Sequence, residues 1–199
     1  MRITIMALAG LGLASAAQAN ILISEYVEGG GYNKAIELHN AGEVSESLDG
    51  YTLALYSNGG TEPGATLALD GRELAAGEVL VIASNQAGGE LAGLADLSSA
   101  AINHNGDDAY VLSDANGVVD SFGRVGEDPG DAWTGGGLST RDRTLRRKDN
   151  ISTGDTVIDD AFDPSAQWQG YPVDTLDGLG APGAGSVEGG GEPVPLGAC

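Results

Sequence analysis

An all-β fold, built as an antiparallel sandwich or barrel, is predicted by three features of this sequence. Short runs of β-formers recur along it, Gly- and Asn-containing turns close them roughly every 8 to 14 residues, and no crossover helices separate them as a parallel sheet would need. The first runs are residues 21–26 (ILISEY) and 35–39 (AIELH). Residues 51–56 (YTLALY) follow and end at Ser57-Asn58-Gly59-Gly60, and residues 65–69 (ATLAL) end at Asp70-Gly71. Residues 79–82 (VLVI) are continuously apolar, as in a strand buried on both faces. Residues 109–112 and 118–122 flank Asp114-Ala115-Asn116-Gly117, a hairpin signal because Asn-Gly tolerates positive φ. A later strand is expected at residues 144–147 (TLRR). Helix is expected only at residues 90–96, through Leu91, Leu94 and Ala95, for one or two turns.

Composition narrows the class. The 199 residues include 33 glycines in irregular clusters such as Gly29-Gly30-Gly31, which excludes the strict three-residue period of collagen. A hydrophobic share of 41% in regularly spaced runs predicts a folded body with a real core. With 29 acidic against 9 basic residues the net charge is −20, which excludes a surface that clasps nucleic acid or anionic lipid as a whole, so any anion site must be local.

Residues 1–19 (MRITIMALAGLGLASAAQA) carry Arg2, an apolar stretch and small residues ending in Ala17-Gln18-Ala19, the pattern of a secretory signal peptide cleaved after Ala19. The apolar stretch is too short for a membrane span. Cleavage removes Arg2 as the only charged residue lost, so the charge becomes −21 and a secreted, extracellular chain is expected. The single cysteine, Cys199, allows no internal disulfide, so stability must come from the core; an unpaired Cys199 permits a linked dimer. Residues 178–199 hold 8 glycines and 3 prolines without apolar periodicity, which predicts a disordered Gly/Pro-rich tail or linker. The expected organisation is a signal peptide (1–19), a β-sandwich domain (20–177) and this tail (178–199), a free end or the link to a further domain.

Several motifs, taken in order, resemble a known family. Ile23-Ser24-Glu25, then Lys34-Ala35-Ile36-Glu37-Leu38-His39-Asn40, then Leu48-Asp49-Gly50-Tyr51-Thr52-Leu53 are similar to the lamin tail domain. Further on, residues 102–109 (INHNGDDA), Asp128-Pro129-Gly130, residues 144–148 (TLRRK), residues 161–165 (AFDPS) and Trp168 resemble the version found at the N-terminus of bacterial extracellular endonucleases. The resemblance spans about residues 21–180 and implies an immunoglobulin-like sandwich. It also implies a non-catalytic role, because in that nuclease family cutting belongs to a separate, metal-dependent domain. Two functions follow as expectations: a secreted binding or scaffolding module, or part of a DNA endonuclease whose catalytic domain lies outside this chain.

Candidate chemistry is sparse. Hydrolysis needs a positioned base, and the histidines are His39 and His104. Asn103-His104-Asn105 lacks the second histidine and the metal-bearing helix of a histidine nuclease, no Gly-x-Ser-x-Gly occurs, and no catalytic residue or cofactor is assigned. Asp155, Asp159, Asp160 and Asp163 offer oxygen ligands for Ca2+ but match no EF-hand spacing, so that site stays unassigned. The unusual feature is a stripe of Arg141, Arg143, Arg146, Arg147 and Lys148, five of the nine basic residues in eight positions. These side chains could contact extracellular DNA phosphates. Alternatively they pair with carboxylates, Arg143, Leu145 and Arg147 on one strand face and Thr144, Arg146 and Lys148 on the other. The net charge favours pairing, since physiological salt limits a patch's reach to about 8 Å. Expected partners are therefore extracellular DNA through this local stripe or a C-terminal nuclease domain.

Overall fold

Two sheets bury the apolar side chains of their facing sides against each other in the computed structural model, which describes residues 20–181. The expected signal peptide, the tail beyond Ala181 and Cys199 lie outside the described residues.

In chain order the elements are β1 (Ile21–Glu28), β2 (Lys34–Asn40), β3 (Glu46–Ser47), β4 (Thr52–Tyr56), β5 (Ala65–Ala68), β6 (Glu73–Leu74) and β7 (Val79–Ser84). Then come α1 (Gly89–Leu94), β8 (Leu97–Ser99), β9 (Ala109–Asp114), β10 (Gly117–Phe122), β11 (Thr134–Gly135), β12 (Leu138–Ser139), β13 (Arg143–Arg147), α2 (Pro164–Gln167) and β14 (Trp168–Tyr171). The larger sheet has the order β14-β13-β1-β2-β7-β8, and the second has the order β10-β9-β4-β5. Each strand expected from the sequence is present.

The larger sheet is antiparallel except at one edge, where β7 and β8 run parallel with α1 between them. This short crossover departs from the all-antiparallel expectation. It is possible because Leu91 gives α1 one buried anchor against the outer sheet face. The β9–β10 hairpin also differs in detail. Ala115 and Asn116 form the turn, the left-handed side of φ falls on Gly117 (139°), and Asp114 Oδ1 accepts the Asn116 and Gly117 N–H groups at 2.7 and 3.0 Å.

The core lies between the sheets. Ile21, Ile23, Tyr26, Ile36 and Leu38 face Leu53, Leu55, Tyr110, Leu112 and Phe122, with Leu145 and Trp168 completing it. Tyr26 stacks on Phe122 with ring centroids 4.2 Å apart, and Phe122 meets Trp168 edge to face at 5.1 Å. On the second sheet β4 alternates cleanly, Leu53 and Leu55 inward and Thr52, Ala54 and Tyr56 outward. Trp133, in its glycine-flanked loop, is buried against Phe162.

The outer face of the larger sheet is covered in part. Val27, Ala35, Val81 and Ala83 form a second apolar cluster with Leu91 of α1 and with Leu176 and Leu179. The chain therefore stays packed through Leu179, two positions into the stretch expected to be a linker. Two leucines at a three-residue spacing anchor it despite the surrounding glycines.

Candidate functional site: an acidic row beside an open groove

β13 carries the basic stripe, and its alternation decides what each side chain meets. Arg147 turns inward: its guanidinium lies 2.6 Å from Asp120 of β10, donates to the Ile23 carbonyl at 2.6 Å and to Gln167 Oε1 at 2.5 Å, and rests over the Trp168 ring. Asp120 is as completely engaged, accepting the N–H groups of Ile23, Ser121 and Asp155 at 2.8 to 2.9 Å. Burial pushes the Asp120 carboxyl up, and Arg147 and those amides oppose the rise.

Arg146 turns outward but is also buried. Its Nε donates to Glu25 Oε2 at 3.1 Å, its Nη2 pairs with Asp177, and its guanidinium covers the Tyr171 ring. Lys148 donates to the Ser165 and Ala166 carbonyls at 2.7 and 3.4 Å. Arg141 pairs at the surface with Asp131 at 3.0 Å and Asp142 at 3.5 Å, and Arg143 donates to the Asp142 carbonyl at 2.9 Å. The stripe thus divides. Arg146 and Arg147 lie in the protein body, while Arg141 and Arg143 keep solvent access.

Arg146 belongs to a row that crosses three strands. The strand register sets Glu37 of β2 opposite Glu25 of β1, and Glu25 opposite Arg146. A bulge between Ile23 and Glu25 lets Ser24 join the same outer side, where its hydroxyl donates to Glu37 Oε1 at 2.7 Å. Gly180 donates its N–H to Glu37 Oε2 at 2.7 Å, and Gly178 lies against Arg146 and Glu25 so closely that a Cβ would stand 2.5 Å from Arg146 Cζ and from Glu25 Oε2. Like charges directly opposite each other on neighbouring strands repel. Burial pushes the Glu25 carboxyl up to about 8, Arg146 opposing and Glu37 adding to the rise, so Glu25 holds a proton at neutral pH. Burial raises Glu37 as well, against its bonds to Ser24 and Gly180. Glu25 Oε1 is buried and finds no hydrogen-bond partner among the described residues.

This row closes one end of a groove of about 580 Å3 on the outer sheet face. Its floor carries Leu22, His39 and Val79; residues 40–42 form one wall, and Lys148, Asp149, Ile151 and Ser152 form the other. Burial holds the His39 imidazole below its ordinary range. The groove pairs a floor of Leu22, Val79 and His39 with a buried carboxyl pair, an arrangement suited to holding a ligand by its body and its head group.

The other candidates have structural surroundings. His104 is buried, with Nε2 2.9 Å from the Val27 carbonyl and Nδ1 2.9 Å from the Tyr110 hydroxyl. The carbonyl can only accept, so Nε2 carries the hydrogen. Burial pushes this imidazole down to about 3. Asp108 accepts the N–H groups of Asn105 and Asn58 at 2.8 and 3.0 Å, closing a turn. Asp163 caps α2 through the Ser165 N–H, and Asp155 accepts the Val157 N–H. Among the described residues no three His, Cys, Asp or Glu side chains converge as metal ligands, and no helix is long and apolar enough to cross a membrane.

In the sequence Glu25 and Glu37 stand only within the family-like motifs, with nothing to show that Glu37 lies beside Glu25 and Glu25 against Arg146. The usable signal was the placement of acidic residues inside strongly apolar strands. Register, which brings the three together, is a tertiary property.

Two packed, mostly antiparallel sheets with a shared apolar interior define an immunoglobulin-like sandwich module. The protein belongs to the lamin tail domain family, whose model matches residues 14–126. The match ends before β13, which nevertheless lies inside the larger sheet between β1 and β14. In fold the chain is similar to the crystal structure of a DUF4876 family protein from Bacteroides thetaiotaomicron VPI-5482, at 13% identity, over 87% of this chain and 74% of that one, with a TM-score of 0.52. No curated protein matches it.

Proposed function

We propose that this protein is an exported, non-catalytic binding and scaffolding module that works beside an extracellular nuclease. The observation that carries the reading is a lamin tail sandwich with an open groove on its outer face. Export is supported by the leader-like residues 1–19 and by β1, which starts at Ile21 just after the Ala17-Gln18-Ala19 site. The nuclease context is supported by the motifs at residues 102–109, 144–148 and 161–165. A non-catalytic role is supported by His104, held by two hydrogen bonds in the interior.

DNA contact, in this reading, falls to Arg141 and Arg143, because Arg146 and Arg147 are occupied inside the protein. Changing both exposed arginines to Ala lowers DNA affinity at low salt, and unchanged affinity removes DNA from the proposal. The direct test incubates the chain from Asn20 onward with supercoiled plasmid and Mg2+. The plasmid stays intact; reproducible nicking by the purified chain overturns the non-catalytic reading.

The alternative, that the chain is the accessory part of an endonuclease with a metal-dependent catalytic domain elsewhere, is favoured by the same nuclease-type motifs. It predicts an open frame continuing past the Cys199 codon into such a domain, and a stop codon at that position sinks it.

A further inference from the structure

We infer that the groove binds an organic ammonium ion, a primary amine on an apolar stem, with its nitrogen between the Glu25 and Glu37 carboxyls and its stem over Leu22 and Val79. This rests on the binding-module reading and names the class of ligand.

Charge is the first support. Arg146 pairs with Glu25 and Asp177 while Glu37 lies opposite Glu25, so even with Glu25 protonated the row carries one more negative than positive group. The other cations lining the groove are turned away from this end: Arg147 is committed to Asp120 and Lys148 to the Ser165 and Ala166 carbonyls. The overall charge of −20 also raises the local concentration of cations.

Hydrogen bonding is the second support. Glu25 Oε1 is buried without a partner among the described residues, although a buried carboxyl oxygen nearly always has one. An ammonium group has three donors and no acceptor, and Glu25 Oε1, the Glu37 carboxylate and the Ser24 hydroxyl oxygen are three acceptors on the same outer side. A divalent ion fits less well: it needs six or more oxygen ligands, more than Glu25, Glu37 and Ser24 supply together. An anion meets three carboxyls. The apolar floor selects for a stem beyond the nitrogen.

Binding exchanges one cation for another. The ammonium nitrogen replaces the proton on Glu25, which passes to solvent. The groups facing this exchange are Glu37 and neutral His39 on β2, Arg146 and Lys148 from the β13 side, Asp177 from the C-terminal segment and Asp96 after α1. Because Glu25 holds its proton up to about 8, affinity rises with pH, by up to about tenfold per unit, and levels off above 8.

The test titrates the full chain with n-butylammonium chloride, using n-butanol and NaCl at equal ionic strength as comparators. Saturable binding is expected at pH 7 with release of close to one proton per ligand, read from calorimetry in buffers of different ionisation heat. Glu25→Gln weakens binding at least tenfold and abolishes the proton release. Should Glu25→Gln fail to fold, Val79→Trp fills the groove floor at a partly exposed position and is expected to lose binding with an unchanged melting temperature. Binding no stronger than that of Na+, equal binding of n-butanol, or undiminished affinity in both variants overturns the site. The plasmid assay is independent of these outcomes, so failure of the ammonium site and failure of the non-catalytic reading are told apart.

Discussion

Arg147 and Asp120 meet 2.6 Å apart although their strands belong to different sheets. β1 links them: the bulge after Ile23 frees its N–H for Asp120 and its carbonyl for Arg147, so three strands share one buried polar node. A second bulge, between Val118 and Asp120, lies on the partner strand. These irregularities turn both strands toward a pair that regular pleating would keep apart.

Breaking this node is expected to be costly. Arg147→Ala or Asp120→Ala leaves a buried charge without its partner and lowers unfolding free energy by about 3–5 kcal/mol. Arg141→Ala, at the surface, stays within about 0.5 kcal/mol. Denaturant titration of the three variants checks the contrast.

Glu25 sets an alkaline dependence. Its folded-state affinity for a proton, near 8, exceeds the ordinary carboxyl value of 4.5, so between those values the folded protein binds more protons than the unfolded chain. Stability contributed by Glu25 is fully present below 4.5 and falls as pH rises through 8, by up to about 1.4 kcal/mol per pH unit. Glu25→Gln removes that slope. Melting temperatures of both proteins from pH 5 to 9 should converge at the acid end and diverge toward the alkaline end.

His104 acts in the opposite direction. Held neutral down to about 3, against 6.5 when exposed, it leaves the unfolded chain with the extra proton between those values. The protein therefore loses stability as pH falls from 6.5 toward 3. His104→Gln costs stability at neutral pH, because Tyr110 and the Val27 carbonyl lose their partner, yet its further loss on acidification is smaller. Chemical denaturation at pH 7 and pH 4 compares the two slopes.

Gly178→Ala tests the segment that crosses the acidic row. The added methyl overlaps Arg146 and Glu25, and the strain is expected to cost about 1–3 kcal/mol. Faster amide exchange at Gly180 and new protease cleavage near Leu176 mark the displaced segment, and unchanged protection of Gly180 refutes its role as a fixed cover.

Much of this architecture was legible in the sequence. Runs of β-formers closed by turns located β1, β2, β4 and β13, and for β13 the period of two separated the faces correctly, Leu145 and Arg147 inward and Arg146 outward. Short pairings such as β3 with β6 and β11 with β12 were not legible, because two residues carry no periodicity. β14 was hidden because Gly170 interrupts its pattern; a side chain there would crowd Leu138. The groove was invisible for a different reason. Leu22, Glu37 and Ile151 are distant in sequence, and only strand register and loop path bring them to one surface.

Asn20 and Gly180, at opposite ends of the described chain, both attach at the margins of the groove. Asn20 bonds to Asn40 and Ser152 on its two walls, and Gly180 to Glu37 at its closed end. Tethering is thereby built into the topology. A domain or peptide joined through a short flexible link to either end is held over this surface at an effective concentration on the order of millimolar. Even a weak interaction there becomes intramolecular, so occupancy of the groove depends on linker length as much as on intrinsic affinity.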